Sequence, residues 1–412
     1  MMPERDLPLF RDEEAAQQVM DADSASVMHT YARQPIQIVR GEGMYVYDAQ
    51  GKKYLDFTSG IAVCGLGHCH PGLVEAVTDQ VQTLWHMSNS YLTAPQANLA
   101  ARLTEASGFD RVFFCNSGAE ANEAAIKLAR RYSKKKYGAQ KGEILTFVNC
   151  FHGRTIATVT ATAQAKYQEG FGPLPGGFRY VEEFSIDAVG AALTAKTCAI
   201  MIEPIQGEGG VRPVPPDFLQ ALRKFCDAHG LLLIFDEVQT GAGRTGAWLA
   251  WQRIGVKPDI VTMAKSLAGG LPMGAMMATE EVASAFTQGT HGSTFGGNPV
   301  AARAALAVID TVLTPGFLEQ VRRRGQQLYG LLCDLAMKLD QVADVRGMGL
   351  MWGIELKDIS ASAVLDVCRE QGLLVLTAAG NTIRLLPPLI ASSADIETAV
   401  ELLAAAIKEV SP

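Results

Sequence analysis

The sequence predicts an α/β protein, with a large domain built on a mostly parallel sheet sandwiched by helices and a smaller α+β domain. Short apolar runs alternate with amphipathic stretches, which is the pattern of parallel strands joined by crossover helices. The chain has 412 residues, which is more than one ordinary core requires, and 48% of them are hydrophobic against 19% charged. We therefore expect a globular protein with two closely packed domains.

The expected domain organisation follows from where this alternation changes. We expect an N-terminal segment of residues 1–70, a large domain of residues 71–309 and a C-terminal small domain of residues 310–412. Beyond about Asp310, helical stretches mix with short apolar runs such as Leu373 to Leu376, which favours an α+β arrangement. The residues alone leave open where the first segment packs.

Composition and charge argue against several classes of protein. The formal net charge is -7, and the basic clusters Lys134 to Lys136 and Arg322 to Arg324 are short enough to be solvated helix faces. We therefore expect no nucleic-acid partner. No run reaches the roughly 20 apolar residues that cross a bilayer, so no membrane anchor is expected. An acidic beginning and eight cysteines without CxxC pairs predict a cytoplasmic protein with free thiols.

The residues that follow each predicted strand are informative, because ligands of an open parallel sheet bind beyond the carboxyl ends of its strands. The run Val112 to Cys115 is followed by Ser117, Gly118 and Ala119, where a long amphipathic stretch begins. Free backbone amides at that point would suit a phosphate. The alternative is that Ser117 only caps its helix.

The next two strands also end in side chains suited to a ligand. Ile144 to Val148 leads into Phe151 and Arg154, which offer a flat ring for stacking and a guanidinium for a carboxylate. The following strand ends in Glu203 and a glycine-rich stretch that carries Glu208, a charge on a segment free to move. A core phenylalanine and a plain surface loop are the alternatives.

Two further strands end in a carboxylate and an amine. Leu231 to Phe235 leads into Asp236, and a carboxylate beside so apolar a strand must be paired or belong to a site. Ile260 to Met263 leads into Lys265, one crossover unit later, so the two groups could lie at neighbouring strand ends. Small residues from Ser266 to Gly270 leave room beside the amine. A structural salt bridge and a surface lysine remain alternatives.

Together these strand ends match the needs of pyridoxal phosphate. That cofactor requires an anchored phosphate, a carboxylate for its protonated pyridine nitrogen, and an amine that forms an imine with it. We therefore predict that pyridoxal phosphate is held through Lys265, with Asp236 as the carboxylate.

Two other motifs suggest different chemistry. Gly241, Gly243 and Gly246 match the GxGxxG pattern of dinucleotide-binding folds, but residues 236–240 separate them from their strand, which argues against an NAD-dependent oxidoreductase.

The stretch from Cys64 to His70 contains two cysteines and two histidines. Adjacent side chains diverge and no second ligand pair follows, so we expect no metal site.

At these positions the sequence resembles the class III aminotransferases of pyridoxal-phosphate fold type I, over nearly all of its length. The stretches that carry the resemblance are GIAVCGLGHCHP, LWHMSN, NSGAEANEAAIKLAR, FHGRT, GFGPLP, EPIQGEGGV, FDEVQTGAGRTG, HGSTFGGNP and RGMGLMWGIEL. Two departures from many relatives are Ala119 in place of a threonine and Phe295 in place of a tyrosine. The resemblance also implies that the N-terminal segment packs with the small domain.

The resemblance implies a role for each candidate residue. Around the cofactor these are Lys265 as the imine-forming base, Asp236 on the pyridine nitrogen, Gln239 near the phenolic oxygen, Phe151 on the ring, and Ser117, Gly118 and Ala119 on the phosphate. Thr294 of a second subunit would complete the phosphate site, which implies a homodimer with active sites at its interface. Substrate-binding residues would be Arg154, Glu203, Glu208 and Arg384.

The implied reaction moves the terminal amino group of N-acetylornithine to 2-oxoglutarate, as in arginine biosynthesis. Arg154 would hold the distal carboxylate, and Glu208 would cover Arg384 until 2-oxoglutarate needs it. A structural Arg384 is the alternative. Succinylornithine, ornithine, 4-aminobutyrate and succinyl-diaminopimelate remain alternative donors. A racemase or mutase would not need Arg154, Glu208 and Arg384 together, and a binding protein would not need an imine-forming lysine.

Overall fold

The structure is a computed structural model that describes residues 13–411. Its helices are α1 (Glu13–Ser26), α2 (Ser59–Ala62), α3 (Pro71–Thr83), α4 (Ala94–Ser107), α5 (Gly118–Tyr137), α6 (Ile156–Ala161), α7 (Ala165–Gln168), α8 (Ile186–Ala192), α9 (Pro216–His229), α10 (Ala250–Ile254), α11 (Glu280–Ala283), α12 (Pro299–Val312), α13 (Phe317–Lys338), α14 (Ala361–Glu370) and α15 (Ser393–Val410). A 3-10 helix spans Lys265–Ala268.

The strands form one large sheet and smaller ones around it. They are β1 (Ile38–Glu42), β2 (Tyr45–Asp48), β3 (Lys53–Asp56), β4 (Arg111–Cys115), β5 (Glu143–Phe147), β6 (Phe178–Val181), β7 (Thr197–Ile202), β8 (Ile205–Gln206), β9 (Arg212–Pro213), β10 (Leu232–Asp236), β11 (Ile260–Met263), β12 (Gly274–Ala278), β13 (Val342–Met348), β14 (Met351–Leu356), β15 (Leu373–Leu374), β16 (Leu376–Ala378) and β17 (Thr382–Leu385).

The central sheet has seven strands in the order β4-β12-β11-β10-β7-β5-β6. Only β12 runs against its neighbours, and the other strands are parallel to one another. Crossover helices between parallel strands force the carboxyl ends of those strands to one edge. The predicted fold class is therefore confirmed.

Both faces of the central sheet are buried, which explains why its strands are continuous apolar runs. Strand β10 is an example. Leu233 and Phe235 pack into a cluster that includes α4, α9 and α12, whereas Leu232 and Ile234 pack into a second cluster against α5. Each of these side chains is at most 6% exposed, and full burial of one such side chain stabilises the fold by about 1.5–3 kcal/mol.

The unit α9-β10 shows how local sequence places a site residue. Pro216 occupies the first turn of α9, where its missing N–H is harmless, and Gly230 ends the helix in the left-handed region with φ 62°. The chain then enters β10 and reaches Asp236 at its carboxyl end.

The two ends of the chain meet in the smaller sheets. Strand β15 pairs in parallel with β3, in a sheet ordered β1-β2-β3-β15. A second sheet, here called the C-terminal sheet, has the order β13-β14-β17-β16. The apolar run Leu373 to Leu376 is divided between the two sheets, because β16 leaves β15 to pair with β17. Asp310 lies inside α12, and the division at residues 70 and 310 stays a prediction.

Within residues 13–411, no single helix combines the length and apolar composition needed to cross a membrane. Helices α12 and α13 meet those two criteria only when they are joined, and they are bent by 72° at the break between them.

Candidate active site

A cavity of about 370 Å³ opens at the carboxyl ends of the central strands. It collects residues that follow five different strands, as expected for a ligand site in an open parallel sheet. Ten of the predicted residues line it: Ser117, Gly118, Ala119, Phe151, Arg154, Glu203, Glu208, Asp236, Gln239 and Lys265. Arg384 lies directly behind this lining, and Thr294 lines a different cavity.

The lysine and the carboxylate lie at the ends of adjacent parallel strands. Asp236 of β10 is level with Thr262 of β11, and Lys265 follows three residues later. Lys265 has φ 47°, a left-handed conformation that is costly for a residue with a side chain and recurs at functional sites. Burial lowers the pKa of Lys265 to about 8. Arg384 acts in the same direction, whereas three nearby carboxylates act against it. The amine is therefore available as a base near neutral pH.

Asp236 is fixed by two side chains to which the sequence analysis assigned no role. Asn122 of α5 donates to Asp236 Oδ2 at 2.7 Å, and His152 Nδ1 lies 2.8 Å from the same oxygen. The backbone N–H of Val238 donates to the other oxygen at 3.0 Å. A polar Asn122 among alanines on the buried face of α5 was the signal that could have identified this network.

The buried His152 ring faces Asp236. Burial works against protonation of the ring, yet Cys150 and the Asp236 carboxylate outweigh it, and the pKa of His152 is raised well above its ordinary value. Its Nε2 is buried without a hydrogen-bond partner among the described residues. The His152 ring thus holds the Asp236 side chain in place at the base of the cavity.

The start of α5 forms a concave backbone surface. Ser117 Oγ accepts the N–H of Glu120 at 3.2 Å, so Ser117 does cap the helix. The first amides of a helix have no acceptor within it and attract anions. Gly118 packs closely on Val238, since a Cβ at Gly118 would lie 2.7 Å from Val238 Cγ1. Only glycine therefore fits at this first helical position without displacing Val238.

Phe151 and Arg154 form an aromatic and cationic wall. The Arg154 guanidinium lies 4.0 Å from the ring centroid of Tyr167 and 5.5 Å from that of Phe151. The Phe151 and Tyr167 rings meet edge to face at 5.6 Å. Tyr167, which the sequence analysis did not select, holds Arg154 beside the cavity mouth.

Glu203 ties two cavity segments together. Its carboxylate accepts the backbone N–H of Phe151 at 2.9 Å and that of Gly207 at 3.2 Å. Burial, with a contribution from Asp236, raises the pKa of Glu203 to about 7 despite the opposing effects of His152 and the amides. Its bonds are to backbone amides, so it orders the segments on either side of the cavity.

Glu208 and Arg384 form the ion pair that the resemblance implies. Arg384 Nη1 donates to Glu208 Oε1 at 2.7 Å, and the two side chains are 3% and 23% exposed. The same nitrogen lies 3.4 Å from Gln239 Oε1. Burial favours a neutral Glu208, but Arg384 dominates and lowers the carboxyl pKa. Arg384 is thus covered on the cavity side by a group on a glycine-rich segment.

Thr294 lies in a second cavity of about 390 Å³, together with Ser293, Phe295 and His291. Thr294 and Phe295 are exposed in the single chain. Asn116 links the two cavities, because it lines both.

The cysteine and histidine stretch around residue 64 has local partners. His68 Nε2 lies 2.8 Å from Asp56 Oδ2. All eight cysteines are free thiols. No group of three or more His, Cys, Asp or Glu side chains among the described residues could hold a metal ion.

The residues present fit pyridoxal phosphate. One cavity of suitable size is surrounded by the four groups that this cofactor needs. They are a helix N-terminus for the phosphate, an aromatic wall for the ring, a fixed carboxylate, and an amine with a lowered pKa. Fold and site together are those of a pyridoxal-phosphate-dependent aminotransferase.

Comparisons with known proteins agree. Residues 27–407 match the family Aminotransferase class-III. The acetylornithine aminotransferase of Methanocaldococcus jannaschii is 48% identical over 384 residues, covering 93% of this chain and 96% of that protein. The N-acetylornithine aminotransferase of Stenotrophomonas maltophilia K279a superimposes with TM-score 0.82 at 39% identity, covering 94% of this chain and 98% of that one.

An ornithine aminotransferase of Toxoplasma gondii superimposes with TM-score 0.92 at 31% identity, covering 96% of this chain and 94% of that one, and its structure is described with partial occupancy of PLP at the active site. The chain therefore belongs to the class-III aminotransferase family. It is an enzyme that uses an amino donor and a keto acid as substrates, with pyridoxal phosphate as its cofactor.

Proposed function

We propose that this enzyme transfers the terminal amino group of N-acetylornithine to 2-oxoglutarate, which gives N-acetylglutamate 5-semialdehyde and glutamate and serves arginine biosynthesis. The observation that carries the proposal is the Glu208–Arg384 pair beside Lys265, since a cation with a removable anionic cover suits two substrates of unlike shape. The acetylornithine aminotransferase names of the relatives support this donor.

Lys265 and Asp236 carry the proton chemistry in this proposal. Bound pyridoxal phosphate supplies an electron sink for the bond broken at the substrate carbon. The Asp236 carboxylate, held by Asn122 and His152, keeps a proton on the pyridine nitrogen. Lys265 would hold the cofactor through its aldehyde carbon until the substrate amine takes its place there. The freed Lys265 amine would then take a proton from the substrate carbon that carries the nitrogen and deliver it to the former aldehyde carbon of the cofactor, on the other side of that nitrogen. Its lowered pKa suits both steps.

The cavity wall positions the two substrates in turn. Arg154, exposed at the cavity mouth, binds the carboxylate at the far end of either substrate. While the donor occupies the site, Glu208 keeps Arg384 covered, so that a terminal amine with no adjacent carboxylate is accepted. When 2-oxoglutarate enters, Glu208 swings aside and Arg384 binds its inner carboxylate. The glycines around Glu208 permit that movement.

The remaining lining residues would hold the cofactor. Phe151 would stack on its ring, Gln239 would lie near its phenolic oxygen, and its phosphate would be held by Ser117, Gly118 and Ala119. Glu203 acts by ordering the Phe151 and Gly207 backbone.

The eight free thiols suit a reducing compartment, and we place the enzyme in the cytoplasm.

We further propose a homodimer, in which Thr294 of each chain reaches the phosphate site of the other. Support comes from exposed apolar side chains on one part of the surface: Trp85 is 68% exposed, Leu92 100% and Phe295 59%. Patches of this kind mark protein interfaces. Light scattering should give twice the 44.1 kDa chain mass. Leu92→Asp should lower it, whereas Met337→Asp, at an exposed helix position, should not. A wild-type mass of one chain would refute the dimer.

The reaction is tested by a visible spectrum of the purified protein with pyridoxal phosphate. After unbound cofactor is removed, the wild type should keep the yellow absorbance of the protein-bound imine and Lys265→Ala should not. N-acetylornithine without keto acid should bleach the colour, and 2-oxoglutarate should restore it. Selective bleaching by 4-aminobutyrate, ornithine or succinylornithine would keep the mechanism and change the donor. A colourless wild type would refute the cofactor roles of Lys265 and Asp236.

A further inference from the structure

The glycine-rich loop at residues 241–246 has no part in the cavity, yet its chain is tightly constrained. Gly243 and Gly246 have φ of 91° and 87°, in the left-handed region that favours glycine. A Cβ at Gly241 would lie 2.8 Å from the carbonyl oxygen of Glu237. The spacing that resembles a dinucleotide fingerprint therefore serves a close approach of backbone to backbone.

This loop carries Arg244, whose side chain is 1% exposed. Its Nη1 donates to the carbonyl oxygen of Leu350 at 3.0 Å and also to that of Pro387. The carbonyl oxygen of Arg244 in turn accepts the N–H of Leu350 at 2.9 Å. Arg244 thus joins the loop that follows β10 to two points of the C-terminal sheet.

A cation in this position needs an explanation. Among residues 13–411 no carboxylate forms an ion pair with Arg244, and its Nε and Nη2 lack hydrogen-bond partners. Burial lowers the pKa of its guanidinium to about 9. Burying a charge on carbonyl oxygens alone costs more than an apolar side chain of the same volume would. What a guanidinium nitrogen with two coplanar N–H groups adds is a fixed geometry between the two carbonyl groups that it joins.

The two carbonyl groups lie at the same end of the strand pair that bears Arg384. Leu350 directly precedes β14, and Pro387 lies two residues beyond the end of β17. Strands β14 and β17 pair antiparallel, with Gly353 opposite Arg384. Arg244 therefore holds the chain just before β14 and just beyond β17, three residues from Arg384. The loop that carries Arg244 follows Asp236 and Gln239 directly in the chain. Arg244 therefore fixes the position of the two strands relative to the cofactor site.

We propose that Arg244 is a positioning residue that fixes β17, and through it Arg384, against the cavity. This inference rests on the proposed function, because it matters most in the half-reaction for which Arg384 binds the inner carboxylate of 2-oxoglutarate. Small displacements of a binding group cost rate steeply, with about 100-fold lost for a shift of about 1 Å.

The test measures both half-reactions of the cofactor-loaded enzyme in single-turnover traces. Arg244→Lys keeps the charge but loses the two coplanar N–H groups of Nη1, and Arg244→Met removes both the charge and the donors. Each should slow the 2-oxoglutarate half-reaction by about 10- to 100-fold and the donor half-reaction by about threefold at most. Arg253→Met is the matched control, since Arg253 donates at 2.5 Å to the Thr245 carbonyl of the same loop without reaching the C-terminal sheet. It should slow each half-reaction by about threefold at most.

A double-mutant cycle separates positioning from a general structural role. In an Arg384→Ala background, Arg244→Lys should cause little further slowing of the 2-oxoglutarate half-reaction, because the group it positions is gone. The same slowing in both backgrounds, or equal slowing of the two half-reactions by Arg244→Lys, would overturn the inference. Failure of the wild type to bleach with any amine would instead overturn the proposed function.

Discussion

Replacing Arg384 by alanine tests how the two substrates share one cavity. In the structure Arg384 donates to Glu208 at 2.7 Å and lies 3.4 Å from Gln239. A carboxylate that replaces Glu208 can accept two N–H groups of the guanidinium, each charged hydrogen bond contributing about 1.5–3 kcal/mol. Because one such bond to Glu208 must first break, the net gain is about 1.5–3 kcal/mol, or about 10- to 150-fold in rate.

Arg384→Ala should therefore lower kcat/KM for 2-oxoglutarate by about 10- to 150-fold. The donor half-reaction should change by about threefold at most, since Glu208 covers Arg384 while the donor is bound. Rapid mixing with each substrate alone, followed by the cofactor absorbance, measures the two steps separately.

The matched control is Arg111→Ala. Arg111 begins β4, pairs with Glu280 at 2.6 Å and is 67% exposed, so its loss removes a surface ion pair at the end of that strand away from the cavity. Both half-reactions should keep the wild-type rate. Equal slowing of the two half-reactions by Arg384→Ala would show that Arg384 supports the fold of the site and that Glu208 does not act as a removable cover.

Three further predictions concern the base of the site. Gly118→Ala should weaken binding of pyridoxal phosphate about tenfold, because the new Cβ would lie 2.7 Å from Val238 Cγ1, and adding Val238→Ala should restore binding in a fluorescence titration. His152→Gln should slow both half-reactions by about tenfold, since it loosens Asp236; slowing of only one would contradict this. Burial raises the pKa of Glu237 to about 7, so its ionisation destabilises the fold as pH rises from about 4.5 to 7. Melting temperatures of wild type should fall relative to Glu237→Gln across that window, and parallel curves would refute the assignment.

The sequence located the strand ends well, because burial on both faces makes each central strand a short apolar run. Strand β11 begins at Ile260 and ends at Met263 as predicted. Lys265 and Asp236 could be placed together since strands joined by a single crossover are usually neighbours in the sheet, as β10 and β11 are. Asn122 and His152 were missed because their role depends on which face of α5 and of the loop after β5 points at Asp236. Hydrophobic periodicity predicts which face of a helix is buried, but it does not predict which atom a polar residue on that face contacts.

Contacts between different sheets could not be predicted from any local sequence pattern. Glu208 and Arg384 are 176 residues apart, on a loop beside the central sheet and on a strand of the C-terminal sheet. Only the resemblance paired them, because nothing in either segment encodes the relative placement of two sheets.

Arg244 illustrates the same difficulty from the opposite side. In the sequence it stands among glycines and a threonine, a composition typical of an exposed loop. In the structure those glycines allow the loop to enter a space between sheets, where Arg244 reaches the carbonyl groups of Leu350 and Pro387. A glycine-rich spacing therefore indicates that the backbone closely approaches another group. That group can be a phosphate or another part of the same chain. The identity of that neighbour depends on tertiary contacts, which is why a match to GxGxxG had no value here as evidence for a dinucleotide.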